Sequence, residues 1–138
     1  MWFKIIYISM VMVFVLGFTA DAITVYYVYE STGRAMEHAL DAGIVKSGYV
    51  LDGQQGYVQL DEAKLKPAVK AEFARYLNLD GNLEGTVMSD SDFQLKLTYD
   101  SDGVPWIQTE LSTHVTFAMG IDYPLKVNRR IEFESIYK

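Results

Sequence analysis

Residues 5–30 read IIYISMVMVFVLGFTADAITVYYVYE, and how this stretch is divided decides the architecture. From Ile5 to Ala20 there is no charge, and Ser9 and Thr19 are the polar members of the run. A membrane span needs about 20 apolar residues to cross a hydrocarbon core of about 30 Å, a length reached here only by passing Asp21 into Ala22–Tyr29. Two readings compete. In one, Met1–Lys4 is a positive leader, Ile5–Phe18 an apolar core and Ala20-Asp21-Ala22 a small-residue cleavage site, giving a secreted or surface-associated binding module cut near Ala22. In the other, one helix runs from Trp2 to about Val45; its first part crosses the bilayer and its second packs on a globular domain.

The residues after Ala22 favour the continuous helix. Tyr26, Tyr27 and Tyr29 stand where an interfacial aromatic belt belongs. Thr32, Met36, Ala39, Leu40, Gly43 and Ile44 then recur at helical spacing, with Glu30, Arg34, Glu37 and Asp41 on the opposite face. No proline interrupts residues 1–49. The expected division is therefore an N-terminal membrane-spanning half over 1–29 and an extracytoplasmic domain over 30–138. Lys4, the single charge ahead of the apolar run, places the N-terminus on the cytoplasmic side. Asp21 either lies at headgroup level or, if deeper, requires a cation or donor from another subunit.

Beyond that helix, Leu51–Gly56 carries turn chemistry about Asp52-Gly53, and Asp61 is placed as an N-cap. Leu65, Val69, Phe73, Tyr76 and Leu77 predict a second, shorter helix that covers a sheet, kinked or restarted near Pro67, with Lys64, Lys66, Lys70, Glu72 and Arg75 solvated. From Leu83 the period becomes two. Phe93, Leu95, Leu97 and Tyr99 define one strand; Ile107, Thr109, Leu111, Thr113, Val115, Phe117 and Met119 a second; Leu125, Val127, Ile131 and Phe133 through Tyr137 a last. Turns are expected at Ser89–Asp92, Asp100–Gly103 and Gly120–Pro124. The fold class is α+β: a long N-terminal helix, a short second helix and a three- to four-stranded antiparallel meander.

Composition narrows the chemistry. The chain has 138 residues, 12 Lys and Arg against 18 Asp and Glu, and a net charge of -6, so it offers no electrostatic attraction to nucleic acid. With no cysteine, disulfides, thiol nucleophiles and cysteine-ligated metals are excluded. His38 and His114 lie far apart in sequence, no catalytic motif surrounds them, and no enzyme, cofactor or small-molecule substrate is expected. Asp100 and Asp102 have the spacing of an incomplete calcium loop, which hairpin turn chemistry explains equally. The positions expected to serve the membrane and assembly are Ile5, Val11, Phe14, Leu16, Asp21, Tyr26, Tyr27, Gly33 and Ala39. The small residues Gly33, Ala35, Ala39, Ala42 and Gly43 admit close approach of neighbouring subunits and of the helix's own sheet, and both can hold for one helix because different faces are available.

The apolar Ile5–Ala20 run, the small-residue segment from Arg34 to Gly43 and the strands from Trp106 to Tyr137 together resemble type IV pilins and pseudopilins, most nearly the TadE-like pseudopilins of tight-adherence systems. That resemblance implies a structural subunit that packs through its N-terminal helix with copies of itself or related subunits in a filament or secretion apparatus. Such proteins carry a peptidase site and a Glu ahead of the apolar run; Met1-Trp2-Phe3-Lys4 has neither, and the first Glu is Glu30. An anchored or minor subunit is expected rather than a major pilin.

Overall fold

The computed structural model describes residues 1–52, 57–117 and 120–133. Helix α1 spans Trp2–Ser47, 46 residues without a break, a rod of about 69 Å. Its first part is apolar on every side; from Val28 onward it buries a stripe of Val28, Thr32, Gly33, Ala35, Met36, Ala39, Leu40, Gly43 and Ile44. Gly48, at a positive φ of 73°, ends it.

Strands β1 (Tyr49–Asp52) and β2 (Tyr57–Leu60) form an antiparallel hairpin, Tyr49 opposite Leu60. The chain reverses where turn chemistry is expected, although neither strand is marked by alternation long enough to read; the Gly53–Gly56 part of the turn lies outside the described residues. Helix α2 (Glu62–Leu77) begins at Asp61, whose Oδ1 accepts the Ala63 N–H at 3.0 Å. It closes on Asn78 in the left-handed conformation, with Leu79 N–H bonded back to the Ala74 carbonyl at 2.8 Å. One helix continues through Pro67 without restarting. The proline removes the N–H that would have bonded to the Ala63 carbonyl, and both residues are exposed, which leaves that carbonyl open to solvent.

Strands β3 (Met88–Tyr99), β4 (Pro105–Thr116) and β5 (Asp122–Glu132) form an antiparallel sheet in that order. The alternation in β4 holds from Ile107 to Val115, all its odd positions buried. Leu83 is buried but lies in the loop before β3, at a φ of 65°. Ser89–Asp92 is no turn: it is a bulge inside β3, where Asp90 and Ser91 oppose Thr113 alone. Thr113 Oγ1 accommodates the extra residue by lying 2.8 Å from Ser91 Oγ and donating to the Ser89 carbonyl at 3.0 Å. At the other turn, β5 starts earlier than expected, at Asp122, and Pro124 sits within this edge strand. Met119, Glu134 and Tyr137 lie outside the described residues.

The helices form one layer. The second helix runs back along α1, Gly43 against Val69 and His38 stacked on Tyr76 with ring centroids 5.2 Å apart. It is therefore chiefly a partner of α1; its hold on the sheet is at β3, where Phe73 stacks on Phe93. Helix α1 itself covers β4 and β5. Two side chains of α2 depart from the sequence pattern. Glu72, expected in solvent, is buried, accepting from Lys46 and from Arg75 at 2.6 Å, while Tyr76, expected in the core, is 57% exposed. Lys46 projects from the last turn of α1 onto the face where Glu72 emerges, so the carboxylate is neutralised by a helix the sequence alone does not place beside it.

Candidate functional site

From Trp2 to Ile23, α1 buries none of its side chains among the described residues: Ile5 is 61% exposed, Phe14 57% and Leu16 66%, with Val11 among the same bare surface. A helix apolar all round and uncovered has the character of a membrane span or of a signal sequence. These residues extend about 33 Å, against the ~30 Å of a hydrocarbon core, and α1 is long and apolar enough to cross a membrane, its most apolar window having a mean hydropathy of 2.0.

Two threonine hydroxyls in this part of the helix are satisfied internally. Thr19 Oγ1 donates to the Val15 carbonyl at 2.8 Å and Thr24 Oγ1 to the Ala20 carbonyl at 2.9 Å. Asp21 has no such arrangement: it is part-covered and has no hydrogen-bond or ion-pair partner among the described residues.

Where the bare helix meets the folded domain stands an aromatic collar. Tyr26 and Tyr27, 70% and 71% exposed, project outward. They border a groove between α1 and the end of α2, lined also by Glu30, Ser31, Arg34, Tyr76 and Leu77, with Arg34 paired to Glu30 at 2.9 Å. Tyr29, expected in the same belt, turns to the domain instead: the Arg129 guanidinium lies 5.6 Å from its ring centroid.

Arg129 also decides the role of Gly33. Its guanidinium occupies the space a Cβ on Gly33 would fill, 2.0 Å from Nη2, while Nε bonds Glu37 at 3.2 Å. Ala39 is 1% exposed in the core, and Gly43 lies against the Val69 backbone. Gly33, Ala39 and Gly43 thus serve close approach within the chain, to Arg129 of β5, the core and α2. Six of the positions picked for assembly (Ile5, Val11, Phe14, Leu16, Tyr26 and Tyr27) remain exposed; Gly33 and Ala39 do not. Arg129 and Tyr76 do not stand out in the sequence as site residues. The period of β5 does place residue 129 inward, after Leu125 and Val127, and that is the available signal.

The polar candidates are otherwise engaged. Asp100 Oδ1 accepts the N–H groups of Val104 and Asp102, both at 2.9 Å, and Oδ2 accepts from Trp106 Nε1 at 3.4 Å. These bonds, that from Val104 first, hold its carboxyl below the usual range. Asp102 is next but one in the exposed β3–β4 turn, and among the described residues no group of three or more His, Asp or Glu is placed to hold a metal. His114 is exposed on β4, opposite Ser89 and Pro124, far from His38 on α1.

No known protein family matches the chain, and neither does any curated protein or any solved structure.

Proposed function

We propose that this protein is a membrane-anchored, pilin-like structural subunit, without enzymatic activity, that assembles through the apolar half of α1 with copies of itself or with related subunits. The observation that carries this reading is the bare Trp2–Ile23 segment, exposed on all sides yet continuous with the helix that organises the domain. Lipid would cover that surface in the membrane, and neighbouring helices would cover it in an assembly. Lys4 supports a cytoplasmic N-terminus with the α+β domain outside. Asp21, with no partner of its own among the described residues, would fix register by a charge-assisted contact with a neighbour.

The test is the intact mass and N-terminal sequence of native protein recovered separately from membranes, medium and sheared surface material. A chain starting at Met1 in membranes supports the anchor; a start near Asp21 in sheared filaments supports processed assembly. A start at Ile23 found in the medium overturns both and favours the secreted module, which would lose no core residue, since burial begins at Val28. Asp21→Ala should lower recovery of the protein in assembled complexes, and unchanged recovery removes the register role.

A further inference from the structure

We infer that Phe117, Ile121 and Tyr123, where β4 passes into β5, form a second membrane contact, their side chains resting in the lipid interface beside the exit of α1. The inference rests on the anchoring proposed above and adds to it an orientation of the whole domain.

The position of the turn is fixed by three contacts. Val87 and Met88, at the start of β3, border a groove shared with Tyr27, Val28 and Ser31, the part of α1 where burial begins. Five residues further along β3, Phe93 stacks on Phe73 of α2. That helix lies beside α1 well above Val28, with Val69 at Gly43 and Tyr76 at His38. Strand β3 therefore climbs away from the bare segment. Met88 pairs with Val115, Val115 with Tyr123, and Thr116 N–H donates to the Val87 carbonyl at 3.0 Å. The β4–β5 turn is thus at the foot of the sheet, the end from which the bare helix leaves.

Its chemistry suits that place. The turn is closed by Phe117 N–H to the Ile121 carbonyl and Gly120 N–H to Phe117, both at 2.9 Å. Gly120 takes a φ of 75°, open to glycine at no steric expense. Ile121 is 59% exposed and Tyr123 47%, with the Tyr123 ring stacked on Phe117 at 6.0 Å. An isoleucine and a stacked aromatic pair at a hairpin tip gain nothing from water, and an apolar body with a phenolic tip is the type that settles at a lipid interface. The sequence has no charge from Phe117 to Ile121, and the Asp122 carboxylate is turned back to accept from Thr116 Oγ1 at 2.9 Å. A bilayer that holds α1 up to Tyr26 meets this end of the domain first. With no cation at the tip, the contact is with the apolar interface and needs no anionic lipid.

The chain has no cysteine, so a single introduced one takes a label uniquely. The full chain, reconstituted in phosphatidylcholine vesicles, would carry an environment-sensitive fluorophore at Ile121→Cys, at Leu16→Cys, or at Gln108→Cys on the outer face of β4. Quenching by nitroxide-bearing lipid is compared with quenching by aqueous iodide. The expected result is severalfold stronger lipid quenching at 121 than at 108, with a blue-shifted emission, and strong lipid quenching at 16. Lipid quenching at 16 with iodide quenching at 121 overturns the second contact and leaves the anchor intact; iodide quenching at 16 overturns the anchor itself. A label at 121 shielded from both quenchers means a protein neighbour covers the turn, and also overturns the proposal. Tyr123→Cys repeats the reading at a second exposed site.

Discussion

Thr32 is fully buried in α1, and its hydroxyl has no partner among the described residues. An unsatisfied buried hydroxyl costs about 1–3 kcal/mol, so Thr32→Val should stabilise the fold by about 1 kcal/mol, measured by denaturant unfolding in detergent; a loss of stability would reveal a partner for the hydroxyl. Glu72 works in the opposite sense, as a buried acid with partners. The Lys46 hydrogen bond above all, then Arg75, holds its carboxyl below the ordinary 4.5. Because the folded-state value is depressed, its contribution is complete above the unfolded value and disappears as pH falls through the folded one. The melting temperature of Glu72→Gln should therefore lie below the parent's at neutral pH, and the gap should close on acidification below 4.5. A constant gap would mean that charge plays no part. Thr32 was legible as a member of the packing stripe through its spacing with Met36 and Leu40, though not its lack of a partner; Glu72 was not legible, since a glutamate on a helix face reads alike whether water or a second helix lies opposite.

At the scale of elements, α1 and α2 approach through Gly43, where a Cβ would come within 2.4 Å of Val69 Cγ2 and 3.1 Å of its Cα and N. Backbone cannot move aside as a side-chain tip can, so Gly43→Ala should destabilise by about 1–3 kcal/mol despite its better helix propensity, as read by denaturant unfolding. Gly33 differs because what fills its space is the mobile end of Arg129. In an Arg129→Ala background Gly33→Ala should stabilise by about 1 kcal/mol, whereas in the parent that gain is offset by the displaced contacts with Glu37 and Tyr29. Equal effects in the two backgrounds would show that the notch and the arginine are uncoupled. The elements themselves were largely legible, because both helices and β4 carry unbroken periods. Less so were β1 and β2, four residues each, and the β3 bulge, whose Ser-Asp-Ser-Asp run is as good a turn as it is a bulge until Thr113 is placed opposite. The bare half of α1 was legible for the same reason as the elements: its apolar run needs no partner to be recognised. The groove at Tyr76 was not, because it exists only once α2 folds back along α1.

For the whole molecule, burial confined to Val28 and beyond predicts that residues 23–138 fold without the rest. That fragment should be monodisperse in water and melt within a few degrees of the full chain in detergent; aggregation or a much lower melting temperature would show that the bare segment contributes to the fold. Helix α1 then has a mechanical consequence. It contains no proline from Trp2 to Ser47, and its upper half is clamped between α2 and the sheet, so it has no joint at which to bend. Such a rod works as a lever: a tilt of ~10° imposed on its lower end swings the far end, ~69 Å away, through ~12 Å. Any push or pull delivered to the bare half of the helix would be passed to the domain, and any load taken up by the domain would return to that half as torque.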